Sequence, residues 1–206
     1  IMLNEVGSLR YKKVLQNATY APYFLSTVVV VGVLRAFTSP SYGIINTSIK
    51  AGGGTPISFM MMPEWFLPLY IGSYVWQSAG WNSIIYIAAL SGVDPQLLES
   101  AQIDGANRVQ RIWHINLPCI LPTIVILLIL NVGQIMNVGF EKAYLMQNDM
   151  NLAVSDIISV YAYKIGIQGA QYSFATAIGL FNSVINCILL VVINSISRRL
   201  SETSLW

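Results

Sequence analysis

Asp94, Glu99 and Asp104 are the most closely spaced carboxylates in the chain, and they are the first place to look for chemistry. Carboxylates gathered at a membrane interface could hold a metal or share acid and base roles, as in a lipid-linked glycosyl transferase. The spacing argues against it, because Asp94 and Glu99 do not share a helix face well. His114 is the only histidine, so a His-based metal site or a Ser-His-Asp triad has almost no material. Cys119 and Cys187 have no CxxC partner, sit in apolar runs, and read as small buried hydrophobes. The glycine run Ala51–Pro56 lacks the Gly-Lys-Ser/Thr ending of a phosphate loop and reads as a flexible turn. The residues point away from covalent chemistry and toward a protein that is not itself an enzyme and carries no metal or cofactor of its own.

The elements that would position these groups are membrane helices. Hydrophobic residues make up 55% of the 206 and charged residues 10%, where a soluble domain carries about 25% charge. Mean hydropathy is +0.60. A net charge of +2 gives no basic patch for nucleic acid. A spanning helix needs about 20 mostly apolar residues, and four stretches qualify: 20–37, 66–90, 120–138 and 174–196. They leave one charged segment, 94–118, and two longer connections, Thr38–Trp65 and Gly139–Ser173. Within the latter, Leu152–Ile165 fits an amphipathic helix.

Orientation follows from the basic residues. Arg10, Lys12, Lys13, Arg108, Arg111, Arg198 and Arg199 fall on one side, and Arg35, Lys50, Lys142 and Lys164 on the other. The richer side is expected to be cytoplasmic, placing segment 94–118 and both chain ends inside and the two long connections outside. The whole of 1–206 reads as a single multi-pass transmembrane domain.

Segment 94–118 reads as two short helices. Asp94 is a good N-cap with Pro95 at the first helical position, where a missing N–H costs nothing. Leu97, Leu98, Ala101 and Ile103 can pack. Gly105 suits the end of a helix and a turn. A second helix carries Val109, Ile112 and Trp113, and Pro118 marks the entry to the next span.

This segment resembles the EAA loop of ABC importer permeases: Glu-x-Ala, three residues, Gly, nine residues, Ile-x-Leu-Pro. Glu99, Ala101, Gly105, Ile115, Leu117 and Pro118 match in type and spacing, a coincidence expected at about one position in ten million. Ser100 departs from the pattern, which has alanine there; both are small. Leu90–Pro95, Gln171–Ala177, Tyr20–Ser26 and Trp206 look like the polysaccharide-type sugar permeases, so the resemblance covers nearly the whole chain.

The resemblance implies an all-α polytopic fold, a helical bundle of the type I ABC importer permease kind. Such permeases commonly carry six spans. The four seen here imply two missing N-terminal spans, with Ile1–Glu5 the end of the second. It also implies a bacterial cell membrane location and four kinds of partner: ABC ATPase subunits that bind the ATP, a second permease subunit, an extracytoplasmic solute binding protein and the lipid bilayer. Glu99, Ser100, Ala101, Asp104, Gly105 and Ala106 would form the coupling surface to the ATPase, with Trp113 and the Leu117-Pro118 corner anchoring the second helix.

A sugar path must be polar, and polar groups at membrane depth face a cavity or another helix. Asn131, Gln134 and Asn137 recur near helical spacing in the third span, as do Asn182 and Asn186 in the fourth. Tyr74 and Gln77 add an aromatic face and an amide in the second. Interhelical hydrogen bonding would explain the same residues. The rival readings are an ABC permease for a non-sugar solute, a membrane-embedded enzyme, and an ATP-independent channel or secondary transporter.

Overall fold

A computed structural model of the chain describes residues 9–201, which form helices joined by turns, without strands among them. The chain divides into two compact units, one holding residues 9–20, 79–135 and 184–201 of the described chain and the other 21–78 and 136–183.

Helix α1 (Leu9–Tyr20) gives way to a short 3₁₀ turn, Ala21–Phe24, that contains Pro22. Ser26 then starts α2 (Thr27–Thr38), its hydroxyl accepting from the Val29 N–H at 3.3 Å. The expected single span over 20–37 is therefore broken. Proline has no N–H to continue a ladder, and a serine cap opens a new helix. Helix α3 (Ile44–Ala51) follows and ends at the glycine run, with Gly53 at φ +82°.

Helix α4 (Pro63–Ser91) has 29 residues, enough for about 43 Å. Helix α5 (Pro95–Ile103) and α6 (Arg108–Arg111) form the charged segment. A π-turn, Ile112–Asn116, then leads into α7 (Leu117–Val132). The π-turn has a local cause. Pro118 cannot donate to the His114 carbonyl, and its ring would press on that carbonyl in a regular helix. Widening the preceding turn relieves the clash, and the Leu117 N–H reaches back to the Ile112 carbonyl.

Helix α7 stops at Val132, with Gly133 as its C-cap. The third span was expected to reach 138, and residues 133–136 instead form a turn. Helices α8 (Phe140–Met146), α9 (Leu152–Ser155) and α10 (Ile158–Tyr163) come next, with a second π-turn, Lys164–Gln168. The amphipathic helix expected over Leu152–Ile165 is thus two short helices split at Asp156–Ile157. Helix α11 (Tyr172–Ser201) completes the described residues. Among the described residues, Arg108–Val132 and Tyr172–Arg199 meet both the length and the apolarity of a membrane span. Helix α4 has the length but interrupts its apolar run with Ser73, Gln77, Ser78 and Asn82.

In the first unit, Leu90, Val93 and Ile120 are buried together, with Tyr86, Ile115 and Ile124 around them, so the end of α4 packs on the start of α7. At Gly80 a Cβ would lie 2.0 Å from the Thr19 carbonyl oxygen, so α1 and α4 meet backbone to backbone. Cys119 and Cys187 are exposed on their helices rather than buried. In a membrane helix the lipid-facing side is apolar, so apolar surroundings in the sequence do not imply burial in the protein.

In the second unit, Val31, Phe66 and Met146 make the core, tying α2, α4 and α8 together. Two buried asparagines hold the connections. Asn46 donates to the carbonyls of Thr38, Ser39 and Ile57 at 3.0, 3.2 and 2.9 Å and accepts from the Ile57 N–H at 2.7 Å. Asn151 donates to the carbonyls of Met60 and Met146 and accepts from the Asn148 N–H and the Ser155 hydroxyl.

Candidate functional site

The charged segment is stiffened by a complete set of caps. Asp94 Oδ1 accepts from the Gln96 N–H at 2.9 Å. At the other end of α5 the chain turns through Gly105 at φ +79°. The Ala106 N–H donates to the Ala101 carbonyl at 2.9 Å and the Gly105 N–H to the Gln102 carbonyl at 3.2 Å. That pair of bonds is a Schellman turn, with glycine in the left-handed position. Asn107 then caps α6 by a reciprocal box: its Oδ1 accepts from the Gln110 N–H at 2.9 Å, and Gln110 Oε1 accepts from the Asn107 N–H at 2.8 Å.

Asp94 thus serves as a cap, and Glu99, Ser100, Asp104 and Gly105 are exposed while Ala101 and Ala106 are half-buried. Among the described residues no group of three His, Cys, Asp or Glu is placed to hold a metal. The apolar residues of the segment differ from expectation. Leu97 and Ile103 do not pack; Ile103 is 86% exposed, and α5 buries no residue. Trp113, expected to anchor the second helix, is 63% exposed. The helices are too short to bury an apolar stripe within their own unit, so that stripe stays on the surface.

The residues of the expected solute path are shared between the two units: Asn131, Gln134 and Asn186 in the first, Tyr74, Gln77, Asn137 and Asn182 in the second. Asn131 is helical, Gln134 lies in the turn after α7, and Asn137 lies beyond it, so the three do not form a helical stripe. The Asn131 amide donates to the Leu127 carbonyl at 2.7 Å. Asn182 Oδ1 is buried without a hydrogen-bond partner.

Tyr74 and Gln77 do come together, on a cavity of about 450 Å³ within the second unit. Tyr23, Tyr70 and Phe140 give it further aromatic wall, and Lys142 lines it beside Gln77. Lys142 is 6% exposed. Its Nζ donates to Ser73 Oγ and to Gln77 Oε1, each at 3.3 Å, and lies 5.8 Å from the centre of the Tyr74 ring. The amide of Gln77 is oriented by its own Nε2, which donates to the Leu25 carbonyl at 2.8 Å. Burial pushes the Lys142 ammonium below its ordinary pKa. Sequence reasoning placed Lys142 among the outer basic residues and missed its burial. The available signal was a lysine between Gly139-Phe140 and Ala143-Tyr144, a stretch with few polar neighbours.

The family described as binding-protein-dependent transport system inner membrane component matches residues 5–202. This chain belongs to that family. As an inner membrane component it is a multi-pass membrane protein. It is 41% identical over its whole length to the polygalacturonan/rhamnogalacturonan transport system permease protein YteP of Bacillus subtilis (strain 168), covering 64% of that protein. It is also 41% identical, again over its whole length, to the protein LplB of the same organism, covering 65% of it. The chain therefore spans about two thirds of the length of these curated relatives. Among solved structures, this inner membrane component superposes with a TM-score of 0.94 and 44% identity on a chain of a bacterial ABC transporter involved in import of the acidic polysaccharide alginate, covering 97% of this chain and 70% of that one. For the bacterial alginate ABC transporter in complex with an alginate pentasaccharide-bound periplasmic protein, the TM-score is 0.96 at 44% identity, with 99% and 71% covered. The all-α permease fold expected from the EAA segment is thus the fold of this family.

Proposed function

We propose that the chain is the permease subunit of an ATP-driven ABC importer, forming part of the membrane path for a sugar or oligosaccharide delivered by a solute binding protein. The observation that carries the reading is the segment Asp94–Pro118. It is a capped pair of helices whose turn is closed by backbone hydrogen bonds and whose Leu97, Ile103, Val109 and Trp113 lie exposed. A rigid element with an uncovered apolar stripe suits a docking lever. In this reading Glu99, Ser100, Ala101, Asp104, Gly105 and Ala106 meet a separate ATPase subunit, which binds and hydrolyses the ATP. The chain supplies no catalytic residue and holds no cofactor. A second permease subunit completes the path. The sugar assignment draws on the relatives named for polygalacturonan, rhamnogalacturonan and alginate. Tyr74 and Gln77 are the path residues the cavity favours, with Asn131, Gln134, Asn137, Asn182 and Asn186 further along it.

The test is purification of the full-length tagged protein from native membranes in mild detergent, with its companions identified by mass spectrometry. Recovery of an ABC ATPase and a second permease is the expected result. Recovery of the protein alone, even after gentle cross-linking, overturns the coupling role of the segment.

A further inference from the structure

The cavity beside α8 has a chemical asymmetry. Its walls are aromatic and hydroxyl-bearing, and its single buried charge is a cation. Lys142 is nearly inaccessible, yet the partners on it are the neutral Ser73 and Gln77 oxygens and the Tyr74 ring. Buried charges are normally paired with an opposite charge. Both hydrogen bonds are 3.3 Å long, beyond the 2.7–2.9 Å of a strong ammonium–oxygen bond. The ammonium is therefore under-compensated, and Lys142 is among the residues that line a space of about 450 Å³, within the range of small-ligand sites. Glu141 also lines the cavity but is exposed, so its charge is screened by solvent.

We propose that Lys142 is the receptor for the carboxylate of an acidic saccharide, and that this cavity discriminates uronate-bearing from neutral sugars. The aromatic rings of Tyr70, Tyr74 and Phe140 offer apolar faces to the C–H side of a sugar ring. Gln77 and Ser73 hold the ammonium in place until an anion arrives. A carboxylate at Nζ supplies the missing charge and restores the pKa that burial depresses. A neutral sugar gains the stacking but leaves the buried cation uncompensated, and selectivity arises from that difference. This assignment rests on the sugar-permease reading above and adds to it which sugars are accepted and by which residue.

The test uses the whole importer, with its own binding protein and ATPase, in cells or proteoliposomes. The probes are oligogalacturonate and alginate oligosaccharides, each compared with its methyl ester, which keeps the size and removes the charge. Lys142→Met removes the charge at similar length, and Lys142→Arg keeps it. The expected result is acid-over-ester uptake in the wild type, a fall of tenfold or more for the acids in Lys142→Met with little change for the esters, and retained acid preference in Lys142→Arg. Equal loss of acid and ester uptake in Lys142→Met, with complex yield also reduced, would make Lys142 a structural strut and overturn the proposal. So would a wild type that imports the esters as well as the acids, which leaves the sugar-permease reading standing. A wild type that imports none of these saccharides, acidic or neutral, although its ATPase is active, overturns both.

Discussion

The backbone N–H of Ala106 donates to the carbonyl of Ala101 at 2.9 Å, folding the chain back over the end of α5. This bond ties the two alanines together across the turn that Gly105 makes. Ala101 and Ala106 are the outer pair of a Schellman turn, and Gly105 is its left-handed residue. A Cβ at Gly105 would meet nothing within 4 Å, so alanine there carries a conformational cost alone, about 1–2 kcal/mol. Proline is worse: it cannot adopt φ +79° and it removes the N–H that bonds Gln102. Gly105→Pro is expected to insert and assemble normally while losing uptake, measured as transport per ATP hydrolysed. Uptake at the wild-type rate would remove Gly105 from the proposed coupling role.

Asn107→Ala should soften the same turn by a different route. It deletes the cap on the Gln110 N–H and leaves Gln110 Oε1 to hold the box alone. The expected cost is about 1 kcal/mol, read as faster hydrogen exchange at residues 108–111 with little change elsewhere. Unaltered exchange there would show that α6 does not depend on its cap.

Gly80→Ala should damage the first unit directly. The added Cβ would meet the Thr19 backbone oxygen at 2.0 Å, and backbone cannot swing aside as a side chain can. Overpacking of this kind costs about 1–3 kcal/mol. Thermal melting in detergent is expected to fall by several degrees, whereas Gly72→Ala, with nothing within 4 Å, should melt like the wild type. Equal melting of the two variants would contradict the close approach of α1 and α4.

Asn46→Leu should destabilise the second unit. The substitution keeps the volume but strands the Ile57 N–H and the Thr38 carbonyl in a buried place. Each stranded group costs about 1–3 kcal/mol. The measurement is again thermal melting, with limited proteolysis between residues 38 and 57 as the local readout. Protection unchanged in that connection would mean Asn46 is not its anchor.

Lys142 gives a pH signature. Its folded pKa lies below the ordinary 10.5 because burial disfavours the charge, so the folded protein binds its proton less tightly than the unfolded chain. The resulting destabilisation is fully present below the folded pKa and is relieved as pH rises from there toward 10.5. Wild-type stability relative to Lys142→Met is therefore expected to rise with pH in that alkaline window. A difference that stays flat, or falls, would show that Lys142 is not desolvated.

The sequence made segment 94–118 legible because its determinants are local. Asp94, Pro95 and Gly105 each act within a turn of their own position, and the caps they signal are the caps observed. The C-terminal extent of α7 was less legible, since Gly133 ends the helix while Ile135 and Val138 still read as membrane residues. The burial of Lys142 was not legible at all. It depends on Ser73 and Gln77, which approach from residues some seventy positions earlier. Apolarity likewise could not say which side chains meet protein and which meet lipid, which is why Cys119 and Cys187 were misplaced.

The π-turn at Ile112–Asn116 sets the phase between the capped pair α5–α6 and α7. A wide turn holds one more residue than an α-turn, and each residue of an α-helix advances the face by about 100°. The side of α7 that follows is thus rotated relative to the helix that an uninterrupted ladder would give. The joint works as a vernier: losing the extra residue would leave both helices intact yet aim the exposed face of Leu97, Ile103 and Val109 in a different direction.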